Sequence, residues 1–414
     1  MSLRTSCKST LALLALGLLG SAAHAADLWQ DLPVYKASGK PDSAYQALLA
    51  DAANQHHRRL QVDASQVQLD REELVLPLLA NLSVKALRIE SGSSESGNLV
   101  WHGLLDSSPV FGRALSAGEA LDDPFNQVTL VREGDLLTGN LRVDGQLYKL
   151  RPLKDGTHVL IEVDESLVPP DHPAGAEPAV DKAGVAVVTP LVQAKANTVI
   201  RVLVHATTAA INASGSISSL IDLAVAEANQ SYANSGISIT LQLAGKYSIA
   251  YTESGSFNTD LSRYRGTSDG YMDSIHSTRN SRTADVAVLF INNSSSCGLA
   301  SAIGASATTA FAAVHWDCAT GYYSFGHEIG HLQAARHDPT NDPTNTPYAY
   351  GHGYQYATGR WRTVMAYNCS SGCTRINYWS NPSRTYGGVP MGTSSRSDNA
   401  RVLNNTRTTV AGFR

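Results

Sequence analysis

The sequence predicts a mixed α/β fold for its C-terminal half and a β-rich fold for its N-terminal half. Strand and helix patterns alternate from residue 198 to residue 291, with long connections between them. Apolar and polar residues alternate between residues 127 and 163, where Glu-Gly-Asp and Val-Asp-Gly mark turns. The first pattern is typical of mixed α/β domains and the second of a β-meander. At 414 residues, the chain is long enough for two domains and a leader.

The N-terminus has the pattern of a secretory signal peptide. Arg4 and Lys8 give a basic start, residues 10–19 are mostly apolar, and residues 23–25 (AHA) form a small-x-small cleavage site. A transmembrane anchor is disfavoured because the apolar run is shorter than the ~20 residues that a bilayer requires. We therefore predict a signal peptide over residues 1–25 and a secreted, extracellular protein with no membrane partner.

Residues 26–180 carry no catalytic constellation, and we predict that they form a pro-domain that ends in a linker. The predicted elements are a helix at Ser43–Leu60 and strands at Gln127–Val131, Gly139–Val143, Leu147–Leu150 and His158–Val163. Residues 167–180 contain four prolines among small and acidic residues, which is typical of an exposed linker. A pro-segment would be cut in such a stretch.

Residues 181–414 are predicted to be the catalytic domain. Its predicted strands are Thr198–His205, Ile237–Leu243, Ala284–Ile291 and an edge strand at Leu299–Ile303; its predicted helices are Ser218–Ala233, Asp260–Asn280, Tyr322–Ala334 and Asp398–Thr406. An exposed edge strand can pair with an extended peptide.

Charge is divided unevenly between the two halves. Residues 27–180 contain 13 Lys and Arg against 23 Asp and Glu, whereas residues 181–414 contain 17 against 13. These could be two independently solvated surfaces. We favour an acidic pro-segment that docks on a basic catalytic domain and blocks its cleft. We predict a monomer with no nucleic-acid partner.

The run HEIGHLQAARH, from His327 to His337, has the spacing of a catalytic zinc site. His327 and His331 are four residues apart, so both lie on one face of a helix and can bind one ion. Glu328 is near enough to reach a metal-bound water. The chain must turn after about one more helical turn to bring His337 back. Three ligands leave a fourth position open, as in catalytic zinc sites, and the third histidine disfavours an ordinary polar helix face.

Together with the segment Thr363–Tyr367 (TVMAY), this motif resembles the metzincin signature. The resemblance implies a twisted mixed sheet, an active-site helix and an irregular lower subdomain. It implies these roles: zinc ligands His327, His331 and His337, general base Glu328, and Met365 in the turn beneath the metal. Tyr367 matches the tyrosine that astacins and serralysins place beside zinc. It would stabilise the oxyanion or, equally well, pack below the metal.

Within this clan, the chain resembles the reprolysin-like bacterial peptidyl-Asp metalloendopeptidases over roughly residues 197–414. The tail YWSNPSRTYGGVPMG supports this resemblance. It implies cleavage on the N-terminal side of Asp, with Glu as a secondary candidate, and the need to keep a secreted protease inactive before export favours a zymogen. An aspartate pocket requires a cation. Arg375 is the first candidate, and the alternatives are Arg336, Arg360 and Arg362.

Maturation and inhibition lead to two further expectations. Aspartate specificity would make Val180–Asp181 a self-cleavage bond, with a mature N-terminus at or near Asp181. The pro-segment contains no cysteine, so a cysteine latch on zinc is excluded. A linker carboxylate, Asp164 or Asp171, could cap the metal instead.

Two positions near the motif leave alternatives open. Ala334 stands where the family usually has glycine. If the turn needs a positive φ, alanine costs about 1 kcal/mol, and the alternative is a turn with other dihedrals. Residues 338–342 (DPTND) offer oxygen ligands that could hold calcium, but we favour a turn-rich surface loop.

Four cysteines remain once Cys7 leaves with the signal peptide. An even count in an exported chain predicts two disulfides. The simplest of three pairings is Cys297–Cys318 with Cys369–Cys373, and zinc ligation by cysteine is the competing interpretation.

Three functions compete on this evidence. The first is a secreted zinc endopeptidase that acts on polypeptides and is inhibited by its own pro-domain. The second is a non-catalytic, zinc-stabilised binding or adhesion module, and the third is another zinc amidohydrolase of the same fold. Glu328 disfavours the second, because a structural metal site needs no base. The third differs from the first only in its cleft.

Overall fold

The structure is a computed structural model that describes residues 26–33, 42–79, 82–106, 123–181, 183 and 197–414. The predicted signal peptide and Cys7 lie outside the described residues. Among the helices of the described ranges, none is both long and apolar enough to cross a membrane.

The N-terminal half is a nine-stranded antiparallel sheet. Strands β3 to β9 follow one another across it in chain order, and β2 and then β1 lie beyond β9. The strands are β1 Trp29–Asp31, β2 Asn54–Val62, β3 Glu73–Leu79, β4 Leu82–Ser93, β5 Leu99–Leu105, β6 Gln127–Glu133, β7 Leu136–Val143, β8 Gln146–Pro152 and β9 His158–Val163. The predicted β-meander is confirmed, and it continues through seven consecutive strands.

The two ends of the sheet meet, since Asp27, next to β1, forms a bridge with Val75 on β3. The sheet is therefore curled. Alternate residues along each strand point to opposite faces. On β9, Leu160 belongs to a core enclosed by this sheet, whereas Val159 and Ile161 belong to a core shared with the C-terminal half. The two halves are therefore joined by a continuous apolar core.

The prediction of a helix over Ser43–Leu60 is wrong for its second half. Helix α1 covers only Ser43–Ala50 and is capped by Asp42, whose carboxylate accepts from the amides of two first-turn residues. The following residues form β2, which pairs with both β1 and β9. Pairing on both sides outweighs the local helical pattern.

The C-terminal half contains a five-stranded sheet in the order β11-β10-β12-β14-β13. Its strands are β10 Thr198–Thr207, β11 Ile239–Ile249, β12 Val286–Ile291, β13 Gly298–Ala300 and β14 Phe311–His315. All pairings are parallel except that of β13, which runs antiparallel to β14 at the edge. The predicted mixed α/β class and edge strand are confirmed.

Six helices accompany this sheet in the described part of the chain. They are α2 Thr208–Ala213, α3 Ile217–Asn234, α4 Phe257–Arg265, α5 Ile275–Ser281, α6 Ser324–Leu332 and α7 Asn399–Val410. The single helix predicted over Asp260–Asn280 is two helices, because residues 266–274 between them form bends and turns around Gly270 at φ +84°.

The last part of the chain below α6 is irregular, as the resemblance implied. Its short strands are β15 Gln355–Tyr356, β16 Trp361–Arg362, β17 Thr374–Arg375, β18 Asn381–Tyr386 and β19 Val389–Met391. The first three form one small sheet and the last two form a hairpin. This region covers the carboxyl end of α6 and so completes the site described next.

Candidate metal centre and cleft

Helix α6 carries the first two histidines of the motif and is buried along its whole length. It ends at Leu332, directly after His331, rather than one turn later as the sequence suggested. Ala334 then adopts φ +76°, so the turn does use a positive φ. Two hydrogen bonds close the helix end: Ala334 N to His331 O at 2.8 Å and Ala335 N to Gly330 O at 2.9 Å.

The turn brings three imidazoles together. His337 Nε2 lies 3.2 Å from His327 Nε2 and 3.1 Å from His331 Nε2. Nδ1 of His327 bonds Val364 O and Nδ1 of His331 bonds Ala335 O, both at 2.9 Å. Carbonyl partners fix the tautomer and leave Nε2 for a metal. Burial lowers the pKa of His327 and His331 far below its ordinary value, so both rings are neutral, the form that binds metals.

Met365 packs against α6 next to the histidine group. The helix presents Gly330 there, and a side chain at that position would collide with the ring of Trp379. Met365 Sδ lies only 3.1 Å from the site of such a Cβ. Met365 and Trp379 are fully buried and form an apolar floor next to Gly330.

A fourth imidazole, His172, joins the group and was not predicted. Its ligand nitrogen and those of His327, His331 and His337 all lie within 4.8 Å of one another. His172 belongs to the linker, which the sequence predicted to be exposed. That prediction is wrong for Asp171 and His172, which are 8% and 5% exposed.

The donor set fits a metal ion. All four groups offer imidazole nitrogen. Within the described ranges, neither nitrogen of His172 and neither oxygen of Glu328 makes a hydrogen bond. Buried polar atoms are rarely left unpaired unless an ion or water satisfies them. We conclude that the histidine group is a metal site.

Glu328 lies beside the metal site without being one of its nitrogen donors. Its Oε1 is 3.3 Å from His172 Nε2. Burial raises the pKa of Glu328 above its ordinary value. Gly298 on β13 makes room for this side chain, because a Cβ there would collide with the carboxylate.

Residues 170–181, which we call the linker strip, run along the cleft beside β13. Cys297 N donates to Pro170 O at 2.8 Å and Gly298 N to Asp171 O at 2.9 Å. Further along, Ile303 N donates to Ala179 O at 2.9 Å. Val180 pairs with Ile303 in a parallel bridge. The predicted edge strand therefore pairs with an extended segment of its own chain.

Glu177 of the linker strip contacts three groups of the site. Its Oε2 lies 3.2 Å from His337 Nδ1 and 3.5 Å from His172 Nδ1. Its Oε1 accepts a hydrogen bond of 2.9 Å from the Tyr367 hydroxyl. The Tyr367 ring packs 4.3 Å from that of His337, centroid to centroid. Burial and the nearby carboxylates raise the pKa of Tyr367, so the hydroxyl keeps its proton.

Of the four candidate arginines, Arg375 is the one that meets the linker strip. It is fully buried, and its Nη2 lies 2.6 Å from Asp171 Oδ2. The guanidinium also stacks over the Tyr322 ring at 4.3 Å. Burial opposes ionisation of Asp171, but Arg375 outweighs it and lowers the pKa of that carboxyl.

The other three arginines are placed differently. Arg336 pairs with Asp342 at 2.5 Å. Arg360 is exposed. Arg362 is buried, but it donates to the carbonyls of Cys373 and Ala366 and to the Tyr322 hydroxyl.

Comparison with known proteins agrees with this geometry. Residues 196–380 match the family model Reprolysin_5, Metallo-peptidase family M12. The chain is 53% identical over 420 residues to the peptidyl-Asp metalloendopeptidase of Stenotrophomonas maltophilia (strain R551-3), with 97% of both chains covered. It is 48% identical over 418 residues to the protein of that name from Xanthomonas campestris pv. campestris, with 98% of both covered. The chain belongs to this family.

A third relative of the same name, from Pseudomonas fragi, is 49% identical over 190 residues, which are 45% of this chain and all of that protein. Membership of the family makes this chain a metalloendopeptidase, whose substrates are polypeptides.

Two disulfides brace the cleft of this metalloendopeptidase. They join Cys297 to Cys318 and Cys369 to Cys373, with Cα–Cα distances of 5.3 and 5.5 Å. The simplest predicted pairing is confirmed. The first bond fixes the start of β13, where the linker strip pairs, and the second follows the methionine turn.

The loop 338–342 behaves as the turn-rich loop that we favoured. Asp338 is buried, and its Oδ2 accepts from Tyr367 N at 3.0 Å and from Asn341 Nδ2 at 2.9 Å. These bonds use the carboxylate to tie the third histidine to the methionine turn, so the geometry gives no support to a calcium site there.

Asp171, His172 and Glu177 are the site residues that sequence reasoning missed or misplaced. Asp171 was a candidate to cap the metal, yet it binds Arg375 instead, and Asp164 is exposed and caps its own turn. The only signal was an Asp-His pair enclosed by prolines in a polar segment.

Proposed function

We propose that the chain is a secreted zinc endopeptidase, made as a zymogen, which cleaves on the N-terminal side of aspartate. The observation that carries the proposal is the buried Arg375–Asp171 pair next to the histidine group. A guanidinium that holds an aspartate side chain in the cleft is the element that such specificity needs. This choice of bond extends the metalloendopeptidase activity that the family implies.

Zinc suits the three histidines of the motif. It prefers nitrogen and sulfur donors in a tetrahedral arrangement, and its catalytic sites use three protein ligands. His327, His331 and His337 would hold it. When bound, zinc acts as a Lewis acid and lowers the pKa of a water at its open position to ~7.

Glu328 would be the general base. It lies next to the ligands, has no hydrogen bond within the described residues and is fully buried. A base works best with a pKa near the operating pH, and burial raises the pKa of Glu328 in that direction. Glu328 would accept a proton from the attacking water and then deliver it to the departing amine.

Tyr367 would stabilise the negative charge that develops on the carbonyl oxygen. Its hydroxyl lies at the site and keeps its proton because the pKa is raised. An oxyanion donor of this kind contributes roughly 2.7–4 kcal/mol. While Glu177 accepts the hydroxyl hydrogen bond, Tyr367 cannot offer it to a substrate.

Arg375 would read the aspartate that follows the scissile bond. A charge-assisted hydrogen bond to a carboxylate is worth most where both groups are buried and otherwise satisfied. Both groups are buried, and Arg375 also donates from Nη1 to the Tyr322 carbonyl and from Nη2 to the Ala366 carbonyl, while its Nε has no hydrogen-bond partner among the described residues. Stacking on the Tyr322 ring holds the guanidinium plane in place.

The N-terminal half would act as an intramolecular inhibitor of a monomeric, exported enzyme. The linker strip contacts the metal ligands, the base, the tyrosine and the arginine, so substrate cannot enter while it is bound. Self-cleavage at Val180–Asp181 remains our maturation hypothesis. Asp181 already binds the catalytic half, since its Oδ2 accepts from Ser306 Oγ at 2.8 Å and Thr309 Oγ1 at 2.6 Å.

The test is digestion of a denatured protein by the secreted, processed enzyme, with cleaved bonds identified by mass spectrometry. We expect cuts before aspartate that disappear with a zinc chelator and return with added zinc. Elemental analysis should find one zinc per chain.

The matched control is Glu328→Gln, purified in the same way, which excludes a contaminating protease. We expect its turnover to fall by about 10²–10⁴-fold. Cuts without regard to aspartate would contradict the specificity, and full turnover by Glu328→Gln would contradict the whole mechanism.

A further inference from the structure

Asp171 and His172 are adjacent in the linker strip and contact two different parts of the cleft, Arg375 and the histidine group. The Asp171 carboxylate lies 2.6 Å from Arg375, and the His172 ring enters the histidine group with its Nε2 3.3 Å from Glu328 Oε1. Both side chains are buried, although Pro170 before them is exposed. The cleft, rather than the local packing of the linker, is therefore what encloses this dipeptide.

The order of the two residues is the reverse of that in a cleavable substrate. This step rests on the proposed function, in which the broken bond precedes aspartate. The carbonyl at the metal must then belong to the residue before the aspartate. Here that carbonyl, Pro170 O, accepts a hydrogen bond from Cys297 N at 2.8 Å. The residue at the histidine group is instead the one after the aspartate.

Glu177 closes the strip from the other side. Its carboxylate lies between Nδ1 of His172 and Nδ1 of His337, and it also accepts from Tyr367. A carboxylate behind a metal-binding imidazole orients the ring and strengthens it as a ligand. The strip thus supplies both a fourth imidazole and a carboxylate close to its Nδ1.

We propose that Asp171–His172 is a two-point latch of the zymogen. His172 is the fourth ligand of the zinc ion, in the position that a water needs, and Asp171 fills the aspartate pocket as an occupant that cannot be cleaved. Activation requires the imidazole to leave as the linker strip is removed. The enzyme is thereby inhibited through the same arginine that selects its substrates.

The first test counts the imidazoles on zinc by X-ray absorption spectroscopy of the full chain. The chain carries Glu328→Gln so that it cannot process itself. We expect four imidazole nitrogens in this zymogen. Adding His172→Ala should leave three imidazoles and one oxygen. The matched control is His56→Ala, which removes an exposed imidazole of the same half and should still give four.

The outcomes separate the latch from the proposed function. A shell of three imidazoles in the Glu328→Gln zymogen, or four after His172→Ala, overturns the latch but leaves a zinc endopeptidase intact. A chain with no zinc and no chelator-sensitive cleavage would overturn the proposed function itself.

A second measurement does not depend on metal spectroscopy. The amides of Cys297, Gly298 and Ile303 donate to carbonyls of the linker strip, so hydrogen exchange reports how firmly the strip is held. In the Glu328→Gln background, Asp171→Asn should speed exchange over residues 297–303 by about tenfold or more. Asp164→Asn, an exposed linker carboxylate, is the control and should change nothing. Equal exchange in both variants would contradict the role of Asp171.

Discussion

The N-terminal half touches the catalytic half in two places that differ in kind. The linker strip contacts the metal ligands, Glu328, Tyr367 and Arg375. A second contact, which we call the sheet interface, joins β7 and β8 to α3 and to residues 317–321. There Lys149 Nζ lies 3.0 Å from Asp317 Oδ2, and Asn140 Nδ2 donates to Glu227 Oε1 at 2.6 Å. These sheet-interface bonds involve no histidine of the metal site. If the linker strip inhibits the enzyme as proposed, inhibition and anchoring belong to two separate contacts of one segment.

The direction of charge also separates the two contacts. We expected an acidic N-terminal half to dock on a basic catalytic half. In the Asp171–Arg375 pair the N-terminal half supplies the anion, as expected. In the Lys149–Asp317 pair it supplies the cation instead. Burial opposes ionisation of Asp317, yet Lys149 outweighs it and lowers the pKa of that carboxyl. Net charge therefore describes the exposed surfaces and not the buried contact.

The largest effect on stability is expected at the sheet interface. Lys149→Met removes the cation of a buried pair and leaves Asp317 with a hydrogen bond from Asn54 Nδ2 and the weaker attraction of Arg151, which should cost about 3 kcal/mol, the lower end of the range for a broken buried pair. Urea denaturation of the full chain carrying Glu328→Gln measures this free energy of unfolding. Lys85→Met is the control, because Lys85 pairs with Glu73 on the exposed face and should cost less than about 1 kcal/mol. Equal losses would mean that the sheet interface is not an anchor.

The next largest effect is expected on substrate specificity, at the arginine that binds the linker strip. Arg375→Gln should lower kcat/KM for aspartate peptides by about 10²–10³-fold, because the substrate carboxylate would lose its buried partner. Peptides with asparagine in place of aspartate should change little. The exposed Arg360, changed to glutamine, is the control and should retain the preference. Preserved selectivity in Arg375→Gln would assign the pocket to another residue.

A smaller effect should appear as a pH dependence of the sheet interface. Burial raises the pKa of Glu227 to about 7, while Asn140, Gly321, Arg151 and Arg142 act to lower it. A raised carboxyl pKa means that the folded chain binds the proton more tightly than the unfolded chain. The resulting stability is fully present below pH 4.5 and is lost as the pH rises through 7, a change of about 3 kcal/mol.

Glu227→Gln tests this prediction. A glutamine keeps the shape and cannot titrate, so unfolding free energies measured between pH 5 and pH 8 should lose this component of their slope. An unchanged slope in the variant would show that Glu227 does not titrate in this range.

The two contacts also differ from the metal site in how far the sequence could predict them. His327 and His331 follow from helical spacing, which is local, His337 follows from the extended motif, and both disulfides follow from short separations. Strand β2 was missed because its pairing with β1 and β9 outweighs the helical pattern of its residues. His172 was missed for a similar reason, since it lies 155 residues before His327 and only the fold brings them together. A short segment such as Pro-Asp-His-Pro carries no periodicity from which burial can be predicted.

The smallest effect is expected at Ala334. The sequence predicted backbone strain there if the turn needs a positive φ, and the φ of Ala334 is +76°. Ala334→Gly would relieve about 1 kcal/mol of backbone strain. It would also remove a buried methyl group, which costs about 0.8 kcal/mol. The two nearly cancel, so the unfolding free energy should change by less than about 0.5 kcal/mol. A gain above about 1 kcal/mol would mean that the methyl contributes nothing, and the near balance explains why alanine is tolerated where the family uses glycine.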